Sequence, residues 1–476
     1  QGGTFVGGTG AHTIGSIKTR DNAASKLTMT TGVCTINGEN SSANYNVIIY
    51  DDTTFDNADG TITLTGPSSR IYFKAGSDPH HLIINNGSAT YNLNQATTIE
   101  GNLTITAGTL TTLDGVTHNA LTVGSGNLSA SLGHVSVSGT LTCNNSVVQV
   151  GSIKIESGGT MTAPNNTMTV RSESATGYSL ENAGTFHHAS NRIDITGPTD
   201  SHASIKGFTS SHPLNNLYIN NTGSNMITFM EGAIEIEGYL YLQDGGFNTQ
   251  GQGPLDVVGA VTINNGCTFD SSDSTISHGS LTINSGGTYS ATSKTLTITG
   301  GGADSDANSS FYAHNAGTFT HNNGTLVFDG CQYRIIAGGT FYNVTVQGEL
   351  VGNGVYNYAG SPLPVPTMPD GTSAVNTIAI LGTLHIKNDE WRPYATNKLY
   401  IHNLVIGDGT GSSNTATFDM SEDDAFDGTV WVDNVTINSD GRLLFGDGDE
   451  TSATAGSSAL NIYGAFRNLG GSVDIT

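Results

Sequence analysis

The chain has 476 residues, of which 63 are glycine and only 12% are charged. Its 40 acidic residues against 16 basic ones give a net charge of −24, which excludes the basic stripe that nucleic acid or an anionic membrane surface requires. No run approaches the ~20 consecutive apolar residues of a spanning helix, so membrane insertion is not expected.

A Gly- and polar-rich composition is also that of disordered chains. Disorder is set aside because apolar and polar residues alternate, as in Leu281-Thr282-Ile283 and Ile153-Lys154-Ile155. Alternation of period two, built from Val, Ile and Thr, is the strand pattern. No stretch of ten or more residues carries a helical period. The expected fold is all-β.

In chain order, residues 1–54 form a truncated first unit. Gly8 to Gly15 is similar to Gly330 to Gly338, and strand-like runs follow at 26–30, 32–36 and 45–50. The chain opens at Gln1 and closes inside repeat units, so it is expected to be a piece of something longer. A block then appears that returns three more times. It starts at Thr54-Phe55, Thr185-Phe186, Thr318-Phe319 and Ala465-Phe466, and each copy carries apolar residues seven and nine positions after the phenylalanine. Phe55, Phe186, Phe319 and Phe466 serve as register marks. They divide the chain into super-repeats of about 132 residues at 55–185 and 186–318, with a third starting at 319–351. Residues 401–476 are expected to complete the third and start a fourth.

Within a super-repeat the smaller step is about 21 residues. Leu242, Ile263 and Ile283 are spaced this way, and so are Phe247, Phe269 and Tyr289. Each step reads apolar-x-apolar, two polar residues, Gly, and a further strand opening on or next to an aromatic residue. That length suits one coil of a parallel β-helix, or β-solenoid, with inward side chains stacked from coil to coil and outward Thr, Ser and Asn. At the ~4.8 Å strand spacing, roughly 22 such coils predict a rod on the order of 100 Å. Cys143 aligns with Ile263 and is expected in the core as a small hydrophobe. Cys34, Cys143, Cys267 and Cys331 lie far apart, and no Cys/His spacing suggests zinc.

The rhythm breaks over 352–400, where Pro362, Pro364, Pro366 and Pro369 rule out a central strand. This stretch is expected to be an extended loop or projecting insert. Its Tyr356, Tyr358, Trp391 and Tyr394 are the candidates for stacking on sugar faces, against the plainer reading of a loop covering its own aromatics. Acidic turns such as Asp447, Asp449 and Glu450 offer carboxylates of the kind Ca²⁺ prefers. None matches a full calcium-binding motif, so solvated acidic turns are the simpler reading and no cofactor is required. His80-His81 and His187-His188 are strand neighbours expected to face opposite ways, which argues against metal binding. A polysaccharide-cleaving β-helix needs acids and bases gathered on a few adjacent coils. Here the basic residues are scattered, so no catalytic residue is assigned and no enzyme is expected.

Segments such as Thr98-Ile99-Glu100-Gly101-Asn102-Leu103-Thr104-Ile105 and Gly317-Thr318-Phe319-Thr320-His321-Asn322-Asn323-Gly324 resemble the long β-strand-repeat proteins of uncultured marine tailed bacteriophages. More distantly they resemble secreted bacterial repeat adhesins. The likeness covers most of 55–350 and is weakest over 352–430. It implies an extracellular or virion-borne structural protein, fibre or tail-associated, whose partners are a host cell-surface glycan or protein and other virion or filament subunits. Phage β-helices are often trimers, so the resemblance admits a homotrimer, and a single-chain solenoid satisfies the pattern equally. A secreted adhesin and a tailspike-like depolymerase are the alternative roles.

Overall fold

The computed structural model describes residues 3–475 except 20–22, 40–44, 51–52, 115–116, 119–120, 124–133, 172–177, 191, 197–201, 222–226, 301–312, 330–335, 338–339, 348–354, 357–376, 388–389, 392–397, 411–415, 421–428 and 446–458. Among the described residues there is no helix, and nearly every strand pairs parallel to the equivalent strand one coil away. Among the described residues the one antiparallel pair is Leu113–Asp114 with Thr117–His118. The chain is a parallel β-helix, divided into two compact units at 1–235 and 236–476.

Alternation in sequence becomes alternation of face. In the first unit Cys34, Ile62, Leu82, Leu103, Val135, Ile153, Leu180, Ile205 and Met230 are direct rung partners in turn. All nine are buried. A second column runs Tyr91, Leu110, Leu141, Met161, Phe186, and a third Leu121, Val148, Met168, Ile193, Leu217. Burying each such side chain contributes about 1.5–3 kcal/mol, so the core is a stack of thin, similar layers.

The second unit repeats the plan. Leu242, Ile263 and Ile283 stack in register, as their spacing predicts. Phe247, Phe269, Tyr289 and Phe319 stack beside them. A column of nine runs Leu255, Ile276, Leu296, Leu326, Val344, Leu384, Leu404, Val435, Phe466. Short coils recur, as from Ile62 to Leu82 and from Leu82 to Leu103. Others are longer: Leu103 to Val135 distinctly so, and Val344 to Leu384 is about twice the length of a short coil, yet each of these pairs remains a direct rung.

Of the stretch expected to project over 352–400, only 355–356, 377–387, 390–391 and 398–400 are described, and nearly all of these residues are strand. Strand Thr377–Ile386 pairs with Lys398–Ile406 over eight rungs. The proline run lies outside the described residues.

The phenylalanine block also means something other than vertical register. Each copy is a strand, a tight turn and a strand. In the first three, the third and fourth residues after the phenylalanine are left-handed: Ala58 and Asp59, Ala189 and Ser190, Asn322 and Asn323. The second residue after it caps the turn with its side chain, Asn57, His188 or His321 accepting from the fourth residue's N–H at 3.0–3.1 Å. Gly60 and Gly324 close the turn where a Cβ would lie 1.8 and 2.1 Å from the carbonyl oxygens of Thr30 and Thr292. The corner is the same, but its place in the coil is not always: Phe186 and Phe319 lie in one sheet and lead into the same neighbouring sheet, whereas Phe55 and Phe466 lie elsewhere. Phe55 stacks over Leu27 in the three-stranded sheet at the start of the chain, Phe186 over Met161, and Phe319 over Tyr289. Phe466 follows Val435, in the column that holds Leu326 and not the one that holds Phe319. The turn code is local, and coils of unequal length deliver it to different corners.

Candidate functional site

Outward side chains determine what the surface can do, and several of them bond to the coil above or below. On one face of the first unit Lys154, Glu181, Lys206 and Glu231 are successive rung partners, a column of alternating charge. Lys154 Nζ also lies 3.2 Å from Glu156, and Lys206 Nζ lies over the Tyr178 ring. Both lysines are held above their ordinary pKa by these partners, chiefly the Glu156 and Tyr178 hydrogen bonds. Elsewhere Arg192 chelates Asp194 through Nε and Nη2 at 2.5 and 2.7 Å and stacks 3.8 Å over Tyr218. Asparagines ladder along the axis: Asn284 donates to Asn264 at 2.7 Å and Asn434 to Asn403 at 3.1 Å.

Two surface clusters carry acid–base groups. At the first phenylalanine corner, His80 Nδ1 lies 3.6 Å from Asp59 and 4.0 Å from Glu100, so three successive coils each contribute one group. Asn57 donates to Glu100 at 2.6 Å and to the Asp78 carbonyl at 2.9 Å. Burial, with help from Glu100, pushes the Asp78 carboxyl above its usual range. The His80 and His81 rings meet edge to face at 4.3 Å; the expectation that they face apart is corrected, because the strand His81–Leu93 begins only at His81. In the second unit Asp433 accepts from Tyr400 Oη at 2.8 Å and from His402 Nδ1 at 2.7 Å. With Nδ1 donating to Asp433, the neutral form of the ring has Nε2 as its acceptor nitrogen, the orienting half of an acid–base centre. Nucleophilic catalysis needs a hydroxyl or thiol on that ring as well. Among the described residues no serine, threonine or cysteine hydrogen-bonds to it. Sequence reading missed both clusters because each is assembled from different coils, whose members meet only through stacking.

The interior holds a third polar group. His278 is fully buried; its Nδ1 donates to the Ser277 carbonyl at 2.8 Å and its Nε2 lies 3.1 Å from Tyr289 Oη. Ser271 Oγ completes the chain 3.2 Å from the same hydroxyl. Burial drives the imidazole down to about 3. Every polar atom of the ring is satisfied while it is neutral, so this is a core network with no route to solvent chemistry.

Of the residues singled out for glycan contact, Trp391 is corrected. It is fully buried, on a short strand whose rung partner is Phe418, with Leu443 and Val473 following in the column. An indole in the core has no face to offer a sugar. Tyr356 lies on a strand paired with Ala337, its side chain outside the described residues. Tyr358, Tyr394, Asp447, Asp449 and Glu450 also lie outside the described residues. Among the described residues no group of three or more His, Cys, Asp or Glu is placed to hold a metal ion, and no helix is long and apolar enough to cross a membrane. Cys34, Cys143 and Cys267 are free and buried, and burial pushes the Cys143 thiol up to about 12, so it packs as a hydrophobe.

No family model matches the chain, and neither does any curated protein or solved structure.

Proposed function

We propose that the chain is a non-enzymatic structural β-solenoid of a tailed-phage virion, fibre or tail-associated, that brings the particle against a host cell-surface glycan or protein. The observation that carries the reading is the column from Leu255 to Phe466. It is unbroken in register although its longest coil, Val344 to Leu384, is about twice the length of its shortest, Leu326 to Val344. Such a scaffold keeps its rungs in register across coils of unequal length, which is what an attachment fibre needs. The outward polar groups support the same reading: Lys154 to Glu231, Asn264 with Asn284, and Asn403 with Asn434 bond coil to coil.

The test is to incubate purified chain with intact marine bacterial cells and, separately, with their extracted polysaccharides. Saturable binding to cells with no release of reducing ends is the expected result. Reducing ends released from any polysaccharide would replace this reading with a depolymerase, and the His402–Asp433 pair would then be the first place to look.

A further inference from the structure

We propose that Asn86 is a site of spontaneous deamidation, and that its conversion unfastens one coil from the next. The reaction needs an asparagine followed by glycine, whose backbone nitrogen is unhindered enough to attack the side-chain amide. Four such pairs are described: Asn37-Gly38, Asn86-Gly87, Asn265-Gly266 and Asn323-Gly324. In three of them the attacking nitrogen is engaged. Gly38 N–H donates to the Gly15 carbonyl at 2.7 Å, Gly266 N–H to Gly286 at 3.1 Å, and Gly324 N–H to His321 at 2.9 Å.

Gly87 differs. It falls between the register shifts at Asn85 and Thr90, in a stretch with no rung partner in the coils on either side. It is exposed, and a Cβ placed on it meets nothing within 4 Å. The Ser88 N–H donates to Asn86 Oδ1 at 3.1 Å, so a donor already sits where negative charge develops when the amide carbon is attacked.

The step balances with water as the only co-reactant. The Gly87 nitrogen bonds to Asn86 Cγ, the Cγ–Nδ2 bond breaks, and ammonia leaves with the Gly87 amide proton. Water then opens the cyclic imide to aspartate or isoaspartate, and nothing is oxidised or reduced. The consequence follows from what Nδ2 does beforehand. It donates to the Thr65 and Gly66 carbonyls of the coil below at 3.1 and 2.7 Å. A carboxylate in its place turns two attractive contacts into acceptor against acceptor.

Peptide mapping of the intact chain, aged at mildly alkaline pH, tests this with isoaspartate detection. Aspartate and isoaspartate are expected at Asn86 several-fold faster than at Asn37, Asn265 or Asn323. Gly87→Ala, which has room for its methyl group and no left-handed backbone to strain, is expected to slow the reaction at Asn86 alone. Asn86→Asp is expected to lower the unfolding temperature. Faster conversion at any of the other three sites, or an unchanged rate at Asn86 in Gly87→Ala, overturns the assignment of the site. An unfolding temperature for Asn86→Asp equal to that of the parent overturns the proposed consequence.

Discussion

His278 and Tyr289 share a hydrogen bond of 3.1 Å in the middle of the core, between the Phe269 ring and the coil that follows. The imidazole titrates at about 3 in the folded chain because burial disfavours its cation, whereas in the unfolded chain it takes a proton near 6.5. Between those values the unfolded state binds the extra proton. The stability contributed by keeping His278 neutral is therefore full above about pH 6.5 and falls on acidification by roughly 1.4 kcal/mol per pH unit until about pH 3. His278→Gln is expected to be less stable than the parent at neutral pH, yet to lose less stability between pH 6.5 and 4. Urea denaturation across that range measures the difference in slope.

The rings of Phe247, Phe269 and Tyr289 stack with centroids 5.5 and 4.7 Å apart. Phe269 is fully buried between the other two. Phe269→Ala opens a cavity in the middle of this stack and is expected to cost about 3–5 kcal/mol. Because stability in a solenoid is a sum of neighbour terms, hydrogen exchange should quicken first in strands Gly246–Asn248 and Thr288–Ser290, with the first unit keeping its protection.

Ala58 and Ala189 are alanines at φ +53° and +50°. A left-handed alanine costs roughly 1 kcal/mol that glycine does not incur. Ala58→Gly and Ala189→Gly are each expected to stabilise the chain by up to about that amount, against the usual direction of Ala→Gly changes. Differential scanning calorimetry reads the sign.

The Lys154, Glu181, Lys206 column predicts a salt-dependent effect. Glu181→Lys places three cations on consecutive rungs. Its unfolding temperature is expected to drop at low ionic strength and to recover toward the parent value in high salt, as screening removes the repulsion.

The columns were legible from sequence because inward positions must be apolar and must recur at coil spacing. Leu242, Ile263 and Ile283 stack as read, Phe247, Phe269 and Tyr289 do too, and Cys143 packs as the small hydrophobe its alignment with Ile263 implied. Other features were hidden for a physical reason. Thr54 to Gly60 encodes a turn through its own backbone and side chains, so the block repeats wherever that corner is needed and does not report which corner it is. Trp391 lies close behind a proline run, where the sequence predicts loop, but its short strand is fixed by Phe418, one coil further on. The Asp59, His80, Glu100 and Tyr400, His402, Asp433 clusters depend on which coil lies over which. Coils as unequal as Val135 to Ile153 and Val344 to Leu384 put that beyond any fixed period.

The central claim, that this solenoid is carried on a virion, is tested most directly by immunogold electron microscopy with antibody raised against the purified chain. Gold on the tails or fibres of tailed particles is the predicted result. Gold confined to bacterial cell envelopes or shed filaments, with tailed particles in the same field unlabelled, would contradict it.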